Sequence, residues 1–498
     1  MENKNRINLL YGVCGQKFVV LVIIVLLLWL PDHISAQPGN EKTFDEIRNN
    51  EAELEAFFSL MPKGGDLHNH LTGSAYAETY FRMALRDGLW LDRVTYKLYK
   101  DNSEGNTYIK LTEDMKDYHA IYRECMDHWS VRNFQYAQHT LAPDEFFFGT
   151  FGVFGTARGN QQKASYLIEL LKELRIRAEA ENVLYLEVML AGPTVSPEMD
   201  KTKNEALVTF IKSKDEADFN QTLTELYNEW EQDNNVKQGI LDYISLIHEV
   251  HDAAQTGGGN VVSCYQAYGS RNSEPLEVFA ELYMSFKACR QDQQQAGDDA
   301  LLVGVNIVQA ENGEKSLRDY WGHMRMFRFL KGQAELKDIK TSMHAGELRL
   351  GLVPPEELKF HIRDAIFVAG ANRIGHGIDI AFESNLEPLF IKMADDIAVE
   401  INLTSNEFIL GVKDGKHPLL LYYNQGVPIV LSTDDAGILR TNLTQQYVIA
   451  AMRYPELKYQ DFKDFSYNSI KYSFLPDSKK VTLKADLDAK FKEFEPVP

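Results

Sequence analysis

Four short motifs gather residue types that bind metals and move protons. They are Asp66-Leu67-His68-Asn69-His70-Leu71, His344-Ala345-Gly346-Glu347, Arg373-Ile374-Gly375-His376-Gly377 and Ser432-Thr433-Asp434-Asp435. Alternate residues of a strand project to one side, so a strand at the first motif presents His68 and His70 together. His344 and Asp434 add a third imidazole and a carboxylate. Such a set suits a catalytic zinc that keeps one position open for water. Glu347, His376 and Asp435 are left for proton chemistry. Each motif alone has a plainer explanation: a chance H-x-H pair, a solvated Glu347, a satisfied buried His376, a turn or helix cap at Asp434-Asp435. Order and spacing argue for the chemical reading.

From His344 to His376 is 32 residues, and from His376 to Asp434 is 58, two steps of about 29. A strand, a helix and two loops take about 30 residues. The apolar run 397–403 fills the missing step, so polar residues recur at the carboxyl end of successive apolar runs. That is the layout of a (β/α)8 barrel active site. Eight such runs can be counted, at 65–71, 183–190, 260–267, 301–308, 340–344, 373–376, 397–403 and 427–432. Near-continuous apolar character fits parallel strands covered on both faces. Helical patterns fall between them, as over 165–174 and 274–290.

Met61-Pro62-Lys63-Gly64-Gly65 leading into the first motif, together with the other three motifs, resembles the adenosine deaminase family over about residues 61–450. The secreted adenosine deaminase-related growth factor branch is the most similar. The resemblance implies a TIM barrel of the metal-dependent hydrolase type with helical insertions and one zinc ion per chain. It implies hydrolytic deamination of adenosine, and of 2′-deoxyadenosine, to inosine and ammonia. His68, His70, His344 and Asp434 match the zinc ligands, and Glu347 the residue that moves a proton to purine N1. His376 matches the histidine that orients the attacking water, and Asp435 the carboxylate facing N7. Two positions depart from the family. Thr72 stands where an acidic residue commonly holds the ribose, and Gln309 where a Gly usually meets the purine edge. Both bear on substrate preference and leave the metal chemistry intact.

At the amino terminus Lys4, Arg6 and Lys17 precede an apolar run at 19–30, then Pro31 and Ser35-Ala36. This pattern predicts a signal peptide over 1–36 and export to a periplasm or the medium, with no stable membrane anchor after cleavage. Cleavage removes three basic and two acidic residues, leaving 49 against 70, a net charge of −21. So acidic a chain, with no basic patch, excludes nucleic acid as a partner. Cys125, Cys264 and Cys289 remain, enough for one disulfide at most. We expect residues 37–60 to form a short helical arm and 61–498 one deaminase barrel. A helical, aromatic-rich insertion is expected at about 92–150, as a lid, a partner surface or ordinary packing, and a solvated helical crossover at 198–240. The short arm leaves a homodimer open. Two other functions stand beside the deaminase: a hydrolase acting on adenine or a modified adenine, and a non-enzymatic secreted binding or growth-signalling protein. The last predicts loss of a ligand or of Glu347, and none is lost.

Overall fold

The computed structural model describes residues 44–101, 107–135, 141–158, 164–193 and 200–494. The expected signal peptide lies outside them. Among the described residues no helix is long and apolar enough to cross a membrane. Residues 1–46 and 47–498 are separate compact units. In the first, the described residues 44–46 open the helical turn Phe44–Ile47.

The second unit is a (β/α)8 TIM barrel. Its strands are β1 (Lys63–His70), β2 (Val183–Ala191), β3 (Val262–Ser270), β4 (Leu302–Val308), β5 (Lys340–Ala345), β6 (Arg373–His376), β7 (Ala398–Ile401) and β8 (Ile429–Leu431). They hydrogen-bond in chain order, every neighbouring pair parallel. A parallel bridge between Asn69 and Asp434 closes the ring. β4, β6 and β7 are buried at every residue, which is why β4 reads as a nearly continuous apolar run, while Arg373, His376 and Glu400 are buried polar members of β6 and β7. Helices follow each strand, for example Pro275–Ala296 after β3 and Glu314–Lys331 after β4.

The helix Glu51–Leu60 lies within the barrel unit. Leu54 and Phe58 are fully buried, and the Phe58 ring stands 5.6 Å from Tyr447 and 5.2 Å from Phe462.

Two expectations are corrected. The 92–150 insertion is only partly helical. Trp90–Asp92 pairs antiparallel with Leu98–Tyr99 and with Tyr108–Lys110, making a three-stranded sheet ahead of the helices Tyr118–His128 and Pro143–Phe154. Tyrosines favour strands as readily as they pack on helices, and strands of two or three residues are too short to show a period. The 198–240 crossover is not simply solvated. Leu207, Ile211, Phe219, Leu223, Leu226 and Trp230 are buried. Phe219 meets Trp321 at 5.4 Å and Trp230 meets Phe279 at 5.3 Å. The charged residues mask an apolar stripe at helical spacing. Cys125, Cys264 and Cys289 are free and buried.

Candidate metal centre and active site

The carboxyl ends of β1, β5, β6 and β8 bring the four motifs together. One ligand atom each from His68, His70, His344 and Asp434 falls within a cluster no wider than 4.8 Å. His70 Nε2 and His344 Nε2 are 3.2 Å apart. Asp434 Oδ1 lies 3.6 Å from His68 Nε2 and 3.4 Å from His70 Nε2. Backbone bonds across the closure hold the arrangement: the Asp434 amide donates to the His68 carbonyl at 2.8 Å, and the His70 amide to the Asp434 carbonyl at 3.3 Å. Asp434 has a φ of +61° and His376 of +68°, left-handed conformations rare for such residues and common where strands end in functional sites.

The nitrogens facing away from the cluster are anchored. His68 Nδ1 donates to Glu400 Oε2 at 2.7 Å, and His344 Nδ1 to Asn306 Oδ1 at 3.2 Å. Each bond leaves the Nε2 lone pair directed at the cluster, as a metal requires. Glu400 is held in turn by Arg373 Nε at 2.5 Å and Ser342 Oγ at 2.8 Å, and Arg373 reaches on to Glu187 at 2.5 Å. All three charged groups are fully buried within the barrel. His68 Nε2 has no hydrogen-bond partner among the described residues. A buried, unpartnered lone pair amid two other imidazoles and a carboxylate fits a divalent cation.

Glu347 and His376 adjoin this cluster. Glu347 Oε1 is 3.6 Å from His376 Nδ1, and Asp434 Oδ2 is 3.8 Å from His376 Nε2. Burial, reinforced by the charges of Asp434 and Glu311, raises the Glu347 carboxyl well above the ordinary carboxylate range. Burial and the adjoining Asp434 do the same to Asp435. Both can therefore hold a proton at neutral pH. Glu311 accepts the backbone amides of Gly346 at 3.1 Å and Glu347 at 2.7 Å, fixing that turn. Asp435 presses against Gly73, where a Cβ would lie 1.4 Å from its Oδ1.

A polar relay sets the His376 tautomer. The Leu419 amide can only donate, and it donates to His417 Nδ1 at 3.1 Å. Burial lowers the His417 pKa to about 3, so the ring is neutral and carries its proton on Nε2. That proton goes to Asn406 Oδ1 at 3.1 Å, and the Asn406 amide nitrogen donates to His376 Nδ1 at 2.9 Å. Burial also lowers His376 to about 3. Its single proton must therefore sit on Nε2, an atom with no partner among the described residues.

Above the cluster lies a cavity of about 530 Å³, within the range of small-molecule sites. All nine residues singled out in the sequence belong to the cluster or to the cavity wall. Thr72 and Gln309 line the wall, and Gln309 has a φ of +82°. Phe147, Phe148 and Phe151, on the helix at the end of the insertion, form an apolar side. Sequence reasoning missed the supporting residues Glu187, Asn306, Glu311, Glu400, Asn406 and His417. The signal was present for three of them. Glu187, Asn306 and Glu400 interrupt runs otherwise apolar, where a polar residue must find a buried partner.

Comparison with known proteins points the same way. Residues 288–490, which carry His344, Glu347, His376, Asp434 and Asp435, match the family model "Adenosine deaminase". The matched stretch spans 203 of the chain's 498 residues. An adenosine deaminase of Clostridium perfringens is 23% identical over 423 residues, covering 85% of this chain and 97% of its own. Among solved structures, an amidohydrolase from Burkhoderia ambifaria with bound zinc shares 18% identity at a TM-score of 0.56, over 92% of this chain and 96% of its own. The N6-methyl-AMP deaminase of Arabidopsis thaliana shares 17% at 0.54, over 87% and 98%. At these identities the structural likeness is one of fold. The matched residues run from the helix before β4 to the last described helix and include the strands that position His344, His376 and Asp434.

Proposed function

We propose that the protein is a zinc-dependent deaminase of 6-aminopurine nucleosides, with adenosine as substrate and inosine and ammonia as products. The observation that carries this reading is the meeting of three imidazole nitrogens and a carboxylate beside a buried Glu347 able to hold a proton. His68, His70, His344 and Asp434 would hold the zinc ion, which would supply Lewis acidity toward the attacking water. Protonated Glu347 donates to N1 of the ring and so offsets the charge that builds there as water adds to the amino-bearing carbon. Asp435, also protonated, donates to N7. His376, with its proton on Nε2, holds the oxygen of the attacking water. Of the water's two protons, one passes to the amino group, which leaves as ammonia as the carbonyl forms, and the other restores the proton that Glu347 gave to N1. Thr72 is neutral, so sugar hydroxyls contribute less binding than they would to a carboxylate, by about 1 kcal/mol. Export, supported by the apolar run at 19–30, would put this activity outside the cytoplasm.

Product analysis tests the proposal. Zinc-loaded protein incubated with adenosine, 2′-deoxyadenosine or adenine should release inosine and one equivalent of ammonia from adenosine, and the deoxy product from deoxyadenosine. Turnover of adenine alone would move the substrate class to the free base.

A further inference from the structure

A second cavity of about 380 Å³ adjoins the first and shares Thr72, Ala191, Gly192 and Tyr268 with it. Its remaining wall is mostly apolar, including Leu167, Met189, Leu246 and Ile247. Two carboxylates, Asp242 and Glu249, also line it, and no Lys or Arg does so among the described residues. The Tyr243 hydroxyl in that wall is buried and has no hydrogen-bond partner among the described residues.

The proposed substrate orientation gives this space a use. With Glu347 at N1 and Asp435 at N7, the five-membered ring lies on the Asp435 side of the first cavity. Asp435 abuts Gly73, next in sequence to Thr72. N9 belongs to that ring, so its sugar is directed toward Thr72, where the two cavities join. We propose that the second cavity receives an uncharged, largely apolar substituent on the sugar, making 5′-thioethers of adenosine substrates of this site. This rests on the deaminase reading above. A 5′-phosphate would meet two carboxylates with no cation to offset them. The unpartnered Tyr243 hydroxyl is a donor for an ether, thioether or sugar oxygen or sulfur. Arg158, the single Lys or Arg among the described residues lining the first cavity, is the group that would take a phosphate instead.

The test compares kcat/KM for adenosine, 5′-deoxy-5′-methylthioadenosine and AMP on the zinc-loaded full chain. The thioether should be deaminated at least as efficiently as adenosine, and AMP at least 100-fold less. Leu246→Trp, which narrows only the second cavity at a half-exposed position, should cost the thioether 10-fold or more and change adenosine less than 2-fold. Tyr243→Phe should weaken the thioether's KM and leave its kcat unchanged. Adenosine turnover with an inert thioether, or with AMP as good as adenosine, overturns the inference and leaves the deaminase reading standing. Equal losses for both nucleosides in Leu246→Trp also overturn it. No deamination of any of the three sinks both.

Discussion

Asp434 and His68 meet twice at the seam of the barrel: the Asp434 amide donates to the His68 carbonyl at 2.8 Å, and its carboxylate stands 3.6 Å from His68 Nε2. Barrel closure and the metal cluster are thus built from the same residues. A cation bound there joins the first strand to the last, and a ligand bound only by the folded chain stabilises by about 4 kcal/mol at a thousandfold excess over its Kd. Calorimetry should show a Tm several degrees higher with zinc than with chelator, and no such difference in His70→Ala. Equal shifts in both proteins would remove the metal from this seam.

Glu347→Gln keeps the side chain's size and loses its transferable proton. Turnover should fall about 100-fold or more, with one zinc still bound and KM little changed. Near-normal kcat in this variant would mean that the N1 proton comes from elsewhere.

The relay ending on His376 predicts a different signature. In Asn406→Leu the shorter of two donors to His376 Nδ1 is gone, leaving only Asn402 Nδ2 at 3.4 Å, so the ring proton is freer to move to that atom and leave Nε2 bare. We expect kcat to fall 10- to 100-fold at constant zinc content, with an altered pH profile. A variant whose stability falls while kcat and its pH dependence stay the same would make the relay purely structural.

The motifs were legible because their chemistry is local: a ligand type and the residue beside it are both visible in a short string. The strands were legible because burial on both faces makes them largely apolar, as at Leu302–Val308, where Asn306 is the one polar residue. The support of the site was not. Glu400 lies 332 residues from His68, and Asn306 lies 38 from His344, so only folding shows which buried polar residue answers which imidazole. The small sheet at Trp90–Asp92 escaped for a related reason, since its pairings are non-local and its strands too short to show alternation. The buried stripe from Phe219 to Trp230 was hidden by the charged residues between its members.

Glu281 lines the active cavity, and burial pushes its carboxyl from the usual 4.5 up to about 7. The folded chain therefore holds this proton more tightly than the unfolded chain does between those two pH values. The stability linked to it is fully present below about pH 4.5 and is lost as the pH climbs through 7. Glu281→Gln lacks that loss. Denaturant unfolding should show the variant gaining on its parent by roughly 2 kcal/mol between pH 4.5 and 7.5. A gap independent of pH would place the titration elsewhere.

The central claim is that one metal ion in the His68, His70, His344 and Asp434 cluster makes the protein a nucleoside deaminase. It is tested most directly by adding zinc stepwise to chelator-stripped protein and following ammonia release from adenosine. The account predicts no activity without metal, a linear rise, and a plateau at one equivalent per chain. Full activity in the stripped protein, or none at any zinc level while one equivalent binds, would contradict it.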